Sequence, residues 1–221
     1  MVLDASLFPP SARFSSLVVQ KGAYDLKHFE RLHPLERTLV AHAVDARKSE
    51  FGDARWCAHQ ALEQLHRDGG APILRGERGM PVWPASVSGS LTHTDGFRAA
   101  VVAPRLIVRS MGLDAEPAEA LPEGIIDSIS REGERRQLAR LKASGVHCAD
   151  RLLFCAKEAT YKAWFPMTHR WLGFDQAEID INDDGTFTSY LLVRPTPVPF
   201  IEGKWVIRDG YVVAATAVSS T

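Results

Sequence analysis

Three Asp-Gly pairs, Asp95-Gly96, Asp184-Gly185 and Asp209-Gly210, each sit inside a stretch rich in β-branched and small apolar residues. Asp-Gly suits the tight turn whose positive φ angles match the twist of paired strands, so each pair marks an antiparallel hairpin. The hairpins read as 87–104 (VSGSLTHTDGFRAAVVAP), 177–193 (AEIDINDDGTFTSYLLV) and 204–218 (KWVIRDGYVVAATAV). A further strand, 106–117 (LIVRSMGLDAEP), stops at Pro117. Helices lie between. In 36–66, Leu39, Ala43, Ala58, Ala61, Leu62 and Leu65 fall at helical spacing, with a break expected near Gly52. Residues 67–84, rich in Gly and Pro, read as a loop with short extended pieces. Residues 123–143 read as a polar helix, and 152–166 (LLFCAKEATYKAWFP) as an apolar one closed by Pro166. Hairpins interspersed with helices place the chain in the α+β class.

The first and last hairpins echo each other: Asp-Gly, an aromatic (Phe97, Tyr211), then a strand of small and β-branched residues. Their glycines are 210 − 96 = 114 positions apart, about half of the 221-residue chain. The expectation is two similar α+β halves, 1–104 and 105–221, side by side with a cleft between them and together one globular unit. The length suffices for one large domain or two small halves with a real core.

A formal charge of −1 argues against a general nucleic-acid binder but leaves room for a local basic pocket. The opening MVLDASLFPP has no basic n-region, and no apolar run approaches the ~18–20 residues that span a bilayer. Cys57, Cys148 and Cys155 form no CxxC pair, so reduced thiols in a cytoplasm are expected rather than cysteine-bound zinc.

Charges inside the apolar 152–166 helix are the first chemical signal. With about 100° per residue and Glu158 at zero, Arg151 falls near +20°, Lys162 near +40° and Cys155 near +60°, flanked by Phe154 and Phe165. Lys157 projects about 100° away. The stripe is either a solvated Glu–Lys face or a charged wall looking into a cleft. The second signal is GLDAEP, 112–117, where strand alternation sends Asp114 and Glu116 to one face. Their repulsion would be relieved by a hard cation, Mg²⁺ before Zn²⁺, with Glu158 as a third carboxylate; the alternative is an exposed edge strand. The third is cationic. Arg47, Phe51, Arg55 and His59 recur every four residues, Arg75 and Arg78 follow on a Gly-rich loop, and Thr92 and His93 stand near a hairpin tip. Such forks and hydroxyls suit phosphate oxygens, or simply a solvated surface.

The order SLTH, GLDAEP and FCAKEATYKAWF resembles the 4′-phosphopantetheinyl transferase superfamily, in the branch that activates siderophore, peptide and polyketide synthases. EFGDARWCAHQAL, PILRGERGMPVWP and the continuation KAWFPMTHRWLGF are similar to its actinobacterial members. The chain departs in having Ala54 before Arg55, where Gly is usual, and His59 where Arg is common. The resemblance implies two α+β halves about a pseudo-twofold axis with coenzyme A in the cleft. It implies Mg²⁺, or Mn²⁺ in its place, on Asp114, Glu116 and Glu158. The 3′-phosphate would lie on Arg47, Arg55 and His93, the adenosine near Arg75, and the pyrophosphate on Thr92, Lys162 and Lys157. Glu158, Lys162, Asp114 and Glu116 would then be catalytic in moving the phosphopantetheine arm to a serine of an apo acyl or peptidyl carrier protein. Such a carrier is expected to be small and acidic, and Arg131, Arg135, Arg136 and Arg140 are candidate contacts. A cytoplasmic monomer, with no nucleic-acid or membrane partner, is expected. Two other classes stay open, a Mg²⁺-dependent nuclease or nucleotidyl enzyme and a silent coenzyme A-binding module.

Overall fold

The computed structural model describes residues 1–67 and 69–220. Two compact units emerge. One comprises Pro10–Met111 with the C-terminal residues from Ser219, the other Met1–Pro9 with Gly112–Val218. The division falls between Met111 and Gly112, inside a strand, rather than at 104, and the first nine residues fold with the C-terminal part.

The N-terminal unit contains β1 (Arg13–Val18), α1 (Lys27–Arg31), α2 (Pro34–Thr38), α3 (Asp45–Gln64), the short pair β2 (Leu74–Arg75) and β3 (Pro81–Val82), β4 (Val87–Thr94) and β5 (Phe97–Pro104). β5 is central in a three-stranded antiparallel sheet of order β1-β5-β4. Gly96 takes φ +76° in the β4–β5 turn, a region that Gly enters without steric cost. α3 buries Phe51, Ala54, Ala58, Ala61 and Leu62, a stripe at helical spacing. Cys57, Ala58, Ala61 and Leu62 form one core with Ile73, Val87, Ala100 and Val102.

The helix predicted over 36–66 breaks at 39–44, not at Gly52. Gly52 stays helical because α1 lies against it: a Cβ there would sit 2.5 Å from the Phe29 nitrogen. The intrinsic cost of a helical Gly, ~1 kcal/mol relative to Ala, is offset by that close packing. β1 and α1 were not marked by any periodicity in the sequence.

β6 (Val108–Pro117) carries the chain into the C-terminal unit. There follow α4 (Ile125–Ile129), α5 (Glu132–Ala143), α6 (Ala149–Thr168), β7 (Ala177–Ile181), β8 (Thr186–Leu191), β9 (Phe200–Arg208) and β10 (Tyr211–Ser219). The sheet order is β6-β10-β9-β8-β7. In each unit the first strand pairs with the second strand of the Asp-Gly hairpin, β1 with β5 and β6 with β10, and a 20-residue helix comes between in sequence. The hairpin echo thus reflects a shared strand order.

α6 presents Ala149, Leu152, Ala156, Ala159 and Ala163, all fully buried, at spacings of three and four. These small side chains let the helix lie close over the sheet, with Trp164, Ile179, Phe187, Ile201 and Val212 completing the core. The helix continues past Pro166 to Thr168, because a proline in the last turn removes only one bond. The His169 N–H returns to the Phe165 carbonyl at 2.8 Å and His169 closes the helix at φ 52°. Residues 1–9 seal the same unit: Val2 and Leu3 are buried, Lys204 donates to the Ser6 carbonyl at 2.7 Å, and Arg208 pairs with Asp4 at 2.8 Å. Among the described residues no helix is long and apolar enough to cross a membrane.

Gly112 is where β6 meets α6. A Cβ there would collide with the Ala159 carbonyl oxygen and lie 2.6 Å from Thr216 Oγ1. Gly112→Ala is expected to destabilise the protein by at least ~2 kcal/mol, read as a lower urea midpoint. An unchanged midpoint would show that helix and strand can separate there freely.

Candidate functional site

Two clusters of charged side chains stand out, one in each unit.

In the C-terminal unit the cluster spans β6 and α6. Asp114 is nearly buried on β6, and Glu116, on the same strand face, is half-buried. Lys162 Nζ donates to Asp114 Oδ1 at 2.6 Å and to the Leu113 carbonyl at 3.0 Å. Arg151 Nη1 lies 3.3 Å from Glu116 Oε2, while its Nε and Nη2 donate to the carbonyls of Glu119 and Ala120, each at 3.1 Å. Cys155 Sγ donates to the Asp114 carbonyl at 3.2 Å. The charged stripe of the helix therefore faces the acidic strand. Glu158, half-buried, lies between Arg151 and Lys162 on that stripe.

The electrostatics follow from this crowding. Burial raises the Glu116 carboxyl above the usual range, and Asp114 and Glu158 raise it further against the opposing pull of Arg151 and Lys162. Burial, then Asp114, raises Glu158 in the same way. Burial works against the Lys162 ammonium, yet the attraction of Asp114 and their hydrogen bond outweigh it and hold its pKa above the ordinary lysine range. Two carboxyls thus resist ionisation beside a third, the condition that a divalent cation relieves. Among the described residues no three His, Cys, Asp or Glu side chains form a ready cage for a metal. An all-oxygen set of this kind fits Mg²⁺, which takes one or two protein carboxylates and fills its other places with water or phosphate oxygens.

Lys157 is elsewhere. Its ammonium is buried against Glu134 of α5 at 3.0 Å and donates to the carbonyls of Phe174 at 2.5 Å and Ala177 at 3.0 Å. The 100° offset from Glu158 turns it away from the Asp114–Lys162 seam and against Glu134. Burial lowers its pKa, opposed by Glu134. Glu134 is fully engaged, accepting also from the Ile179 and Arg131 N–H groups.

Beside Glu158 opens a cavity of about 200 Å³. Lys157, Glu158 and Tyr161 of α6 form one wall, and Trp171 to Phe174 with Ala177 the other. Tyr161 and Trp171 rings stand 5.1 Å apart, and Phe174 meets Phe154 at 6.0 Å. The sequence reading missed Tyr161, Trp171 and Phe174 as pocket residues. Their signal was the run of aromatics on either side of Pro166.

In the N-terminal unit α3 supplies Arg47 and Arg55. Arg47 Nη1 lies 3.2 Å from His93 Nε2 and 3.1 Å from Glu50. Arg55 is 5% exposed, stacked over the Phe51 ring at 4.8 Å. Burial lowers its pKa to about 10 in spite of Glu36, and Arg75 and Arg47 push it the same way, so three arginines share one electrostatic neighbourhood. Thr92 is buried on β4 next to the more exposed His93. His59 does not join them; its Nε2 lies 3.0 Å from both Glu36 oxygens.

The basic row on α5 is largely committed to its own chain. Arg131 pairs with Glu178 at 3.3 Å and donates to Asp175, Arg135 donates to Ser130, and Arg140 to Ile181. Arg136 pairs with Glu132 at 3.5 Å, and Arg135, Arg136 and Arg140 are all exposed.

Comparison with known proteins decides the family. The 4′-phosphopantetheinyl transferase N-terminal domain matches residues 35–103, and the 4′-phosphopantetheinyl transferase superfamily matches 110–216. The chain belongs to the 4′-phosphopantetheinyl transferase superfamily. It is 48% identical over 203 residues to the 4′-phosphopantetheinyl transferase Npt of Nocardia iowensis, covering 85% of this chain and 89% of the relative. It is 46% identical to PptT of Mycobacterium tuberculosis (82% and 84% covered) and 46% identical to Svp of Streptomyces mobaraensis (86% and 79%), both also 4′-phosphopantetheinyl transferases. Within this transferase chain the acidic cluster falls in the superfamily match and the arginine cluster in the N-terminal one.

If Lys157 is structural in this transferase, Lys157→Ala strands a buried carboxylate and should cost ~3 kcal/mol in urea unfolding. A variant of unchanged stability would return Lys157 to the list of ligand contacts.

Proposed function

We propose that the enzyme transfers the 4′-phosphopantetheine arm of coenzyme A to a serine of an apo acyl or peptidyl carrier protein and releases adenosine 3′,5′-bisphosphate. The observation that carries this reading is Lys162 on Asp114 with Glu158 beside them, a cation and carboxylates gathered on one strand–helix seam in a chain of this superfamily.

Arg47, Arg55 and His93 would bind the 3′-phosphate, with Arg75 near the adenosine. Arginine forks and an imidazole suit a dianion, and burial around Arg55 strengthens the attraction. Thr92 and Lys162 would contact the pyrophosphate. Asp114, Glu116 and Glu158 would hold Mg²⁺, or Mn²⁺ in its place, which when bound neutralises charge on the pyrophosphate. The neutral pantetheine arm, part apolar and part amide, suits the aromatic cavity of Tyr161, Trp171 and Phe174.

In the reaction the serine oxygen attacks the β-phosphorus and the bond from that phosphorus to the bridging oxygen breaks. The bisphosphate leaves with the bonding electrons. Glu158 takes the serine proton; its raised pKa makes it a better acceptor than an ordinary carboxylate. Lys162 meets the charge that grows on the leaving oxygen. Positioning and charge stabilisation supply most of such a phosphoryl-type transfer.

Incubation with coenzyme A, Mg²⁺ and an apo carrier protein should add the mass of one phosphopantetheine arm to the carrier. Nucleic-acid cleavage without that product would favour a nuclease instead, and coenzyme A binding without either product a silent module. Glu158→Ala should lower the rate at least ~100-fold; near-normal turnover would remove Glu158 from the scheme. Comparison with Glu158→Gln at saturating metal separates proton transfer from ligation.

The raised carboxyls also set a pH dependence. Without metal, Glu116 and Glu158 oppose folding above their folded pKa values, and the penalty fades as falling pH protonates them. Mg²⁺ should therefore raise the melting temperature most at about pH 8, and the gain should shrink toward about pH 5. An equal gain at both pH values would contradict metal binding by these two groups.

A further inference from the structure

We infer that Glu36 is a positioning residue for the arginine cluster: its carboxylate sets Arg55 and the approach to Arg75, and through them the recognition of a 3′-phosphate. This deepens the function proposed above and rests on it. Glu36 lies on α2 and is fully buried. No motif in the sequence pointed to it. Around its two oxygens come His59 Nε2 at 3.0 Å to each, the Ile73 N–H at 3.1 Å, and Arg55 Nε at 3.8 Å. One side chain thus joins α2, two residues of α3 and the segment that enters β2, where Arg75 lies two residues beyond Ile73.

Burial makes this arrangement matter. A guanidinium that is 5% exposed is costly unless a counter-charge accompanies it. Arg55 Nε is buried without a hydrogen-bond partner, so charge rather than a direct bond ties it to Glu36. Arg47 and Arg75 repel it. Without Glu36, burial and like charge both disfavour Arg55 in its present place. The Ile73 N–H would lose its acceptor at the same moment, loosening the strand that carries Arg75. His59 gives the carboxylate a second partner, so Glu36 keeps its place whether or not an anion draws on Arg55. Glu36 itself need not touch substrate.

The experiment compares coenzyme A with 3′-dephospho-coenzyme A as substrates for the full-length enzyme, alongside thermal unfolding. The readout is the KM for 3′-dephospho-coenzyme A divided by the KM for coenzyme A. Glu36→Gln keeps the size and loses the charge. It should lower that ratio about tenfold, by raising KM for coenzyme A, while kcat on coenzyme A stays within about twofold. Glu36→Asp, which retracts the carboxylate by one methylene and is the milder change, should lower the ratio about threefold, so the inference stays testable if Glu36→Gln does not fold. A merely structural role would lower the melting temperature and move both KM values together, and a ratio equal to the wild type in whichever variant folds overturns the inference. The wild-type enzyme is its own control: if it uses neither compound, the functional reading has failed, and this inference falls with it for a visibly different reason.

Discussion

The C-terminal unit depends on the close contact of β6 and α6 at Gly112, where the Ala159 carbonyl takes the room of a side chain. That carbonyl also accepts from Thr216 on β10 at 3.1 Å, so strand, helix and neighbouring strand are fixed at one point. One turn of helix on one side, Lys162 then reaches Asp114; two turns on the other, Arg151 reaches Glu116. Helix spacing converts a single steric permission into two ion pairs across the seam. A larger residue at 112 would alter chemistry at 114 and 116 without touching either.

The same helix holds lysines with opposite fates. Lys157 and Lys162 are five residues apart, which turns them to different sides. Lys157 ends among a carboxylate and two carbonyls, all of its hydrogen-bonding capacity met inside the fold. Lys162 keeps partial exposure beside Asp114. Buried charge is tolerated in both places because a partner is supplied, Glu134 for Lys157 and Asp114 for Lys162. In the N-terminal unit the balance tips toward cation: Arg47, Arg55 and Arg75 face Glu36 and Glu50, and the surplus positive charge suits phosphate.

Much of this was legible in the residues. Asp-Gly turns gave the hairpins, and strand alternation put Asp114 and Glu116 on one face. The 100° step of α6 grouped Arg151, Glu158 and Lys162 and set Lys157 apart, although the family likeness drew Lys157 back toward the ligand. What stayed hidden has a common cause, contact between residues distant in sequence. Gly52 looked like a break because nothing local reveals Phe29 lying against it. Glu36 carried no sequence signal, since His59 and Ile73 come to it only in the folded chain. Arg131 and Arg140 looked available because their acceptors, the Asp175 and Ile181 carbonyls, lie more than forty residues further along the chain.

Residues 1–9 add a consequence for how the protein is made. Asp4 and Ser6 find their partners at Arg208 and Lys204, separations of 204 and 198 positions. During synthesis this apolar arm leaves the ribosome long before β9, onto which it docks. Until β9 and β10 leave the ribosome, Val2, Leu3 and Phe8 are exposed and open to chaperones or to wrong associations. Docking these residues onto β9 closes loops of 204 and 198 positions, and contacts so distant along the chain form slowly.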